Sequence, residues 1–271
     1  MITETTATEG LLRRDRWFVI GGLVLICALS WFYLLSGAGT GMNTAELTTW
    51  QFPPPVHGAT SSSPWDASYW LIMVSMWWIM MIAMMMPSAA PVVLLYARVY
   101  RHAQRQGQIE SPYVPTTSFV AGYLLAWFVF SLAVTSLQWS LDSSGLFNAM
   151  TMWSSNLVMS GTLLIAAGVY QFLPLKHACL KHCRSPADFV SRHWRRGRAG
   201  AAVMGIQHGI HCLGCCWLIM ALLFVGGIMN LVWIAGLAVF VLAEKLAPEG
   251  HAIGRAAGAA MIATGVYLLA A

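Results

Sequence analysis

The chain has 271 residues, 58% of them hydrophobic and only 9% charged, with a formal net charge of +5. Such a composition is too apolar for a water-exposed surface and excludes an ordinary soluble domain, so a lipid bilayer must cover most of the chain. The basic residues lie scattered between apolar runs rather than gathered on one surface, which fits membrane orientation and argues against a nucleic-acid partner.

Residues 1–16 are read as a polar cytoplasmic tail ending in Arg13, Arg14 and Arg16, followed by an apolar run from Trp17 to Leu35. The run is longer than a secretion-signal core and lacks a small-residue cleavage site, so it predicts a retained first helix. The Pro- and Ser-rich stretch over 36–68, with Pro53 to Pro55 and Ser61 to Ser63, predicts an irregular external loop. Further spans are expected near 69–97, 118–141, 155–175, 201–224, 228–243 and 253–270. The expected fold class is therefore all-α, a polytopic transmembrane bundle of about seven spans, with six as the alternative, forming one membrane domain over 1–271.

All fifteen Lys and Arg fall in the tail, at Arg98, Arg101 and Arg105 after the second span, in a basic loop over 176–200, and at Lys245 and Arg255 before the last span. Short cytoplasmic connections retain Lys and Arg, so the N-terminus and the 176–200 loop are expected in the cytoplasm, with 36–68 and 142–154 outside. Gly226 and Gly227 then mark a tight external turn.

The second expected span carries Met at seven of its fourteen positions from 73 to 86. Met73, Met76, Met80 and Met84 form one stripe at helical spacing, where thioethers either fill gaps in packing or bind soft metals. Pro87 beside the stripe removes a backbone donor and is expected to open a kink. The segment PLKHACLKHCRSP places His177, Cys179, His182 and Cys183 at the cytoplasmic interface. Free thiols there suit a soft metal received from a soluble carrier, and Lys176, Lys181 and Arg184 suit lipid head groups.

The sharpest signal is QHGIHCLGCCWLIM in the fifth expected span. At about 100° per residue, His208, His211, Cys212, Cys215 and Cys216 fall within an arc of roughly 140° on one helix face. Imidazoles and thiols in hydrocarbon need partners, and a one-turn spacing allows one ion to bridge two of them. Met204 extends that face. Thiolate, imidazole and thioether suit Cu(I) first and Zn(II) next, and haem ligated by His208 or His211 is a further option. If the spans run antiparallel, Met84 and Cys212 both sit near mid-membrane. Glu244 and Lys245 are expected as an interfacial ion pair, and Gln207 and Asn230 as hydrogen bonders between helices. Hydrolase and nucleotide-binding motifs do not occur, so an enzymatic role is not the first expectation.

In order, WWIMMIAMMMPS, PLKHACLKHCRSP, HCLGCCW, GGIMNLVW and AEK resemble a bacterial family of predicted metal-binding integral membrane proteins, catalogued as a domain of unknown function, whose members are sometimes described as copper chaperones. The resemblance covers about 70–250 and implies a bacterial cytoplasmic (inner) membrane location. Carried over by residue, it points to Met80, Met81, Met84, Met85, Cys179, Cys183, Cys212, Cys215 and Cys216 as metal-binding. The expected function is binding, delivery or transport of a soft metal, copper first, through a Cys/His/Met site, with lipid and a soluble metal carrier as partners. The rival expectation is a membrane subunit or assembly factor of an oxidoreductase complex.

Overall fold

The computed structural model describes residues 2–40, 44–48, 65–106, 113–144, 147–148, 153–154 and 156–270. Most of the expected 36–68 loop and much of 142–154 lie outside these residues. Apart from a two-residue antiparallel pair, β1 (Phe147–Asn148) with β2 (Trp153–Ser154), the regular elements are helices. In chain order they are α1 (Ile2–Leu35), α2 (Thr44–Leu47), α3 (Ala67–Arg105), α4 (Tyr113–Ser143), α5 (Leu157–Tyr170), α6 (Pro174–Arg184), α7 (Pro186–Arg192), α8 (Gly197–Ala221), α9 (Leu223–Gly226), α10 (Leu231–Leu246) and α11 (Gly250–Ala270).

Among the described residues, five helices are long and apolar enough to cross a membrane: those over 17–35, 67–104, 115–143, 197–226 and 250–270. Two of the seven expected spans differ from this pattern. The segment near 155–175 ends at Tyr170, and α5 and α6 meet at a bend of 65°, so the pair makes at most a sixth, broken span. The break falls just before Pro174, which opens α6 because its ring supplies no N–H to an earlier turn. The segment near 228–243 is α10, whose 16 residues are shorter than a bilayer core requires of a straight helix. The basic stretch over 176–200 is also helical over much of its length, as α6, α7 and the start of α8.

Local chemistry sets the helix ends. Asp66 caps α3 by accepting from the Tyr69 N–H at 2.8 Å, and that bond, followed by the Ser68 hydroxyl, holds its carboxyl below the ordinary range. α3 continues through both Pro87 and Pro91. Gly227 takes the left-handed φ of 100° between α9 and α10, where a β-carbon would be strained. Asn230, expected to bond between helices, donates to the Gly226 carbonyl at the end of α9 at 3.0 Å and also caps α10 by accepting from the Val232 and Trp233 N–H groups.

α4 lies along α8, α11 along α5, and α1 along α3, while α6 also packs on α8 and α10 on α3. Small residues allow these approaches. A β-carbon on Gly205 of α8 would strike the Phe119 carbonyl of α4 and come within 3.0 Å of the Tyr123 nitrogen. One on Gly168 of α5 would sit 2.6 Å from the Gly258 carbonyl of α11. We expect Gly205→Val to cost about 1–3 kcal/mol through overpacking. Gly21→Val, where nothing lies within 4 Å, should leave the unfolding temperature in detergent unchanged.

Tryptophan bridges helices through its indole N–H. Trp77 is fully buried and donates to Gln138 Oε1 at 2.7 Å, and Trp78 donates to the Leu124 carbonyl at 3.1 Å. These two indoles pin α3 to α4 by satisfying their N–H groups away from water.

Candidate metal centre

Cys212, Cys215 and Cys216 are buried on α8, as their shared helix face predicts. Cys215 and Cys216 turn their thiols back onto the Cys212 carbonyl, at 3.0 and 2.9 Å. Cys216 also donates to the Met85 sulfur of α3 at 3.9 Å. Cys183 of α6, a helix packed on α8, is buried in the same core as these three cysteines. The cysteines of PLKHACLKHCRSP and HCLGCCW thus form one cluster rather than separate interfacial and mid-membrane stations. Cys179, one turn earlier on α6, is half-buried, and its sulfur occupies the space above Gly214.

Charge enters from α10. Lys245 is buried and donates to Cys212 Sγ at 3.0 Å and to Ser88 Oγ at 3.1 Å. Tyr123 of α4 stands at 3.3 Å from both Cys212 Sγ and the Met85 carbonyl. Glu244 and Lys245 therefore do not form the expected interfacial ion pair with each other. Glu244 instead holds Lys176 of α6, with the ammonium 2.7 and 2.8 Å from its two carboxylate oxygens and also bonded to Gln171 Oε1. Consecutive residues on a helix point about 100° apart, so Glu244 and Lys245 reach different neighbours. Arg184, expected at lipid head groups, donates to the carbonyls of Glu244, Ala247 and Pro248 at the end of α10, where unpaired carbonyls favour a cation.

Other candidates occupy distinct places. Met76, Met80, Met81 and Met84 are buried in the core beside Met85, which is the methionine hydrogen-bonded to a cysteine. The Met73 sulfur accepts from Gln138 at 3.8 Å, and the Met204 sulfur accepts from the Arg195 N–H at 3.3 Å. His208 is buried among aromatic rings, with centroids 5.1 Å from Phe189, 5.7 Å from Tyr123 and 6.3 Å from Phe119. Its Nδ1 is buried without a hydrogen-bond partner. His211 turns instead toward His182 of α6, at 4.2 Å between ring centroids, and His177 lies against His251 at 5.2 Å.

Sequence reasoning missed the parts of the cluster that only folding brings in. Tyr123 and Ser88 carry no motif, and Lys245 reads as an ordinary helix-end cation. Its signal was its sign: a lysine inside a mostly apolar helix needs a partner, and Glu244 was assumed to be that partner. Among the described residues, no group of at least three His, Cys, Asp or Glu stands in closed metal-ligand geometry. Two of the thiols are spent on a backbone carbonyl, so side-chain rotation must precede any coordination.

Residues 74–268, which include the whole thiol cluster, match a family model described as PpoB2, copper chaperone. The chain belongs to the PpoB2 copper chaperone family. No curated protein and no solved structure matches it significantly. Membership in the PpoB2 family associates the chain with copper, and the donors around Cys212 fit that ion: sulfur and imidazole suit soft copper, while carboxylates that would suit a hard cation are engaged elsewhere.

Proposed function

We propose that this chain holds copper as Cu(I) at the cluster of Cys183, Cys212, Cys215 and Cys216, and passes it on within a bacterial cytoplasmic membrane. The observation that carries this reading is the burial of Cys183 of α6 in the same core as Cys212, Cys215 and Cys216 of α8, the helix on which α6 packs, which gathers thiols of two helices in one buried place. Met85 adds a thioether through its contact with Cys216, and the orphaned His208 Nδ1 offers an imidazole one turn from Cys212. Soft donors of this kind select Cu(I) over harder divalent ions, with Zn(II) next in preference.

Charge supports the choice. A Cu(I) ion on two thiolates carries one net negative charge, and burying it requires a nearby cation. The Lys245 ammonium, bonded to Cys212, supplies that cation. The half-buried Cys179 and the buried Cys183 lie one turn apart on α6, so copper received from a soluble carrier can move by ligand exchange from the surface to the interior. The thioether of Met85 is a weak ligand that favours release to an acceptor, such as an oxidoreductase complex. The residues described here bind and exchange the ion, and no covalent catalysis is assigned to them.

The test is Cu(I) titration of the purified full chain against a competing chelator, with elemental analysis of the same sample. Wild type should retain copper, and Cys183→Ser should weaken binding by on the order of tenfold or more, since one soft ligand is lost. Copper at background in wild type, or equal affinity in the variant, would overturn the reading.

A further inference from the structure

We infer that His182, His193 and His211 form a second metal site, separate from the thiols, which takes a borderline divalent cation from solution through three imidazoles. The rings come from three consecutive helices: His182 from α6, His193 at the C-terminal cap of α7, and His211 from α8. Their centroids are 4.2, 6.2 and 6.3 Å apart. All three are half-buried, so solvent reaches them.

The decisive feature is that the three rings share one hydrogen-bonding arrangement. His182 Nδ1 meets the Ala178 carbonyl at 2.9 Å, His193 Nδ1 meets the Phe189 carbonyl at 3.1 Å, and His211 Nδ1 meets the Gln207 carbonyl at 2.7 Å. A carbonyl oxygen can only accept, so each Nδ1 carries the proton and each neutral ring keeps its lone pair on Nε2. This is the outer-shell pattern that orients metal-binding histidines and fixes their tautomer. Three such rings brought together from three packed helices are more than a solvated surface needs. Phe189 backs the group, with its ring 4.9 Å from His193 and 6.2 Å from His211, limiting where the rings can turn.

Ring centroids 4.2 to 6.3 Å apart lie within the span that one ion bound to imidazole nitrogens at about 2 Å allows, and a metal on three of them keeps a fourth position open for water or an incoming ligand. Neighbouring charge does not forbid it: Arg192, adjacent to His193, is paired with Asp188 at 2.7 Å. His211 is followed by Cys212 in the chain, so the imidazole site adjoins the thiol cluster without sharing its donors. The three histidines are borderline ligands suited to Zn(II) or Cu(II), whereas the thiols are soft.

The test uses Co2+ as a spectroscopic probe on the full chain in detergent. Nitrogen ligation gives ligand-field bands alone, whereas thiolate adds an intense charge-transfer band. Bands without the thiolate signature are expected, and they should persist in Cys212→Ser. Affinity for Co2+ should fall at least tenfold in each of His182→Asn and His193→Asn, in line with the effect of removing a metal-orienting or ligating group. Asparagine can still donate to the same backbone carbonyl but has no Nε2 lone pair, so it separates ligation from a structural role. X-ray absorption of Cys212→Ser protein with one equivalent of Co2+ requires no histidine variant, and should count three imidazoles. Unchanged affinity in both histidine variants, or fewer than three imidazoles, would overturn the inference. Cu(I) binding at the thiols is read by a different ion and different variants, so either result can fail without the other.

Discussion

Replacing Glu244 with Ala is expected to destabilise the protein by about 3–5 kcal/mol, read as a lowered unfolding temperature in detergent, because it strands a buried ammonium. The Lys176 side chain is 1% exposed and that of Glu244 is 3% exposed, so water cannot solvate whichever charge remains. Gln171 still accepts from Lys176, but a neutral amide oxygen does not replace a carboxylate. Lys176→Met should cost a similar amount for the mirror-image reason. The double variant Lys176→Met with Glu244→Gln should recover most of the loss, since no buried charge is left unpaired. Equal stability of wild type and Glu244→Ala would show that the pair is not buried as described. The pair also ties α6 to α10, so Glu244→Ala is expected to loosen Cys183 and weaken copper retention along with stability.

The second large effect is at Cys212. Its sulfur is approached by Lys245 of α10 and Tyr123 of α4, so it ties the buried charge and the phenol to the thiols of α8. We expect Cys212→Ser to lower Cu(I) affinity beyond the roughly 10–100-fold that changes outside the ligand shell produce. Lys245→Met should fall within that range, because it removes the balancing charge and keeps the ligands. The two losses should be less than additive, since the ammonium acts through the Cys212 sulfur. Chelator competition on the two single variants and the double variant measures this directly. Full additivity would mean that Lys245 stabilises the fold without serving the metal.

Several features were legible from residues alone. The Met-rich apolar run became the long helix α3, and the Gly226–Gly227 punctuation became the turn before α10. The shared face of Cys212, Cys215 and Cys216 follows from helical periodicity, which depends only on spacing. The partner methionine was less legible: the stripe through Met84 was the pattern expected to face the thiols, yet Met85 makes the contact. With Met at seven positions of fourteen, several faces of α3 carry sulfur, and only the rotation of α3 against α8 selects one. His193 belongs to no motif, and it meets His182 and His211 because α6, α7 and α8 fold onto one another.

Hydrophobicity, periodicity and ligand chemistry are properties of residues and their spacing, so they suffice to make this chain a bundle of apolar helices bearing soft donors. Which of those donors meet is a matter of packing. The bend after Tyr170 lays α6 against α8, burying Cys183 in the same core as Cys212, and the packing of α10 directs Lys245 to sulfur while Glu244 takes Lys176. Such pairings depend on how helices distant in sequence cross and rotate, and the neighbours along each helix do not encode them.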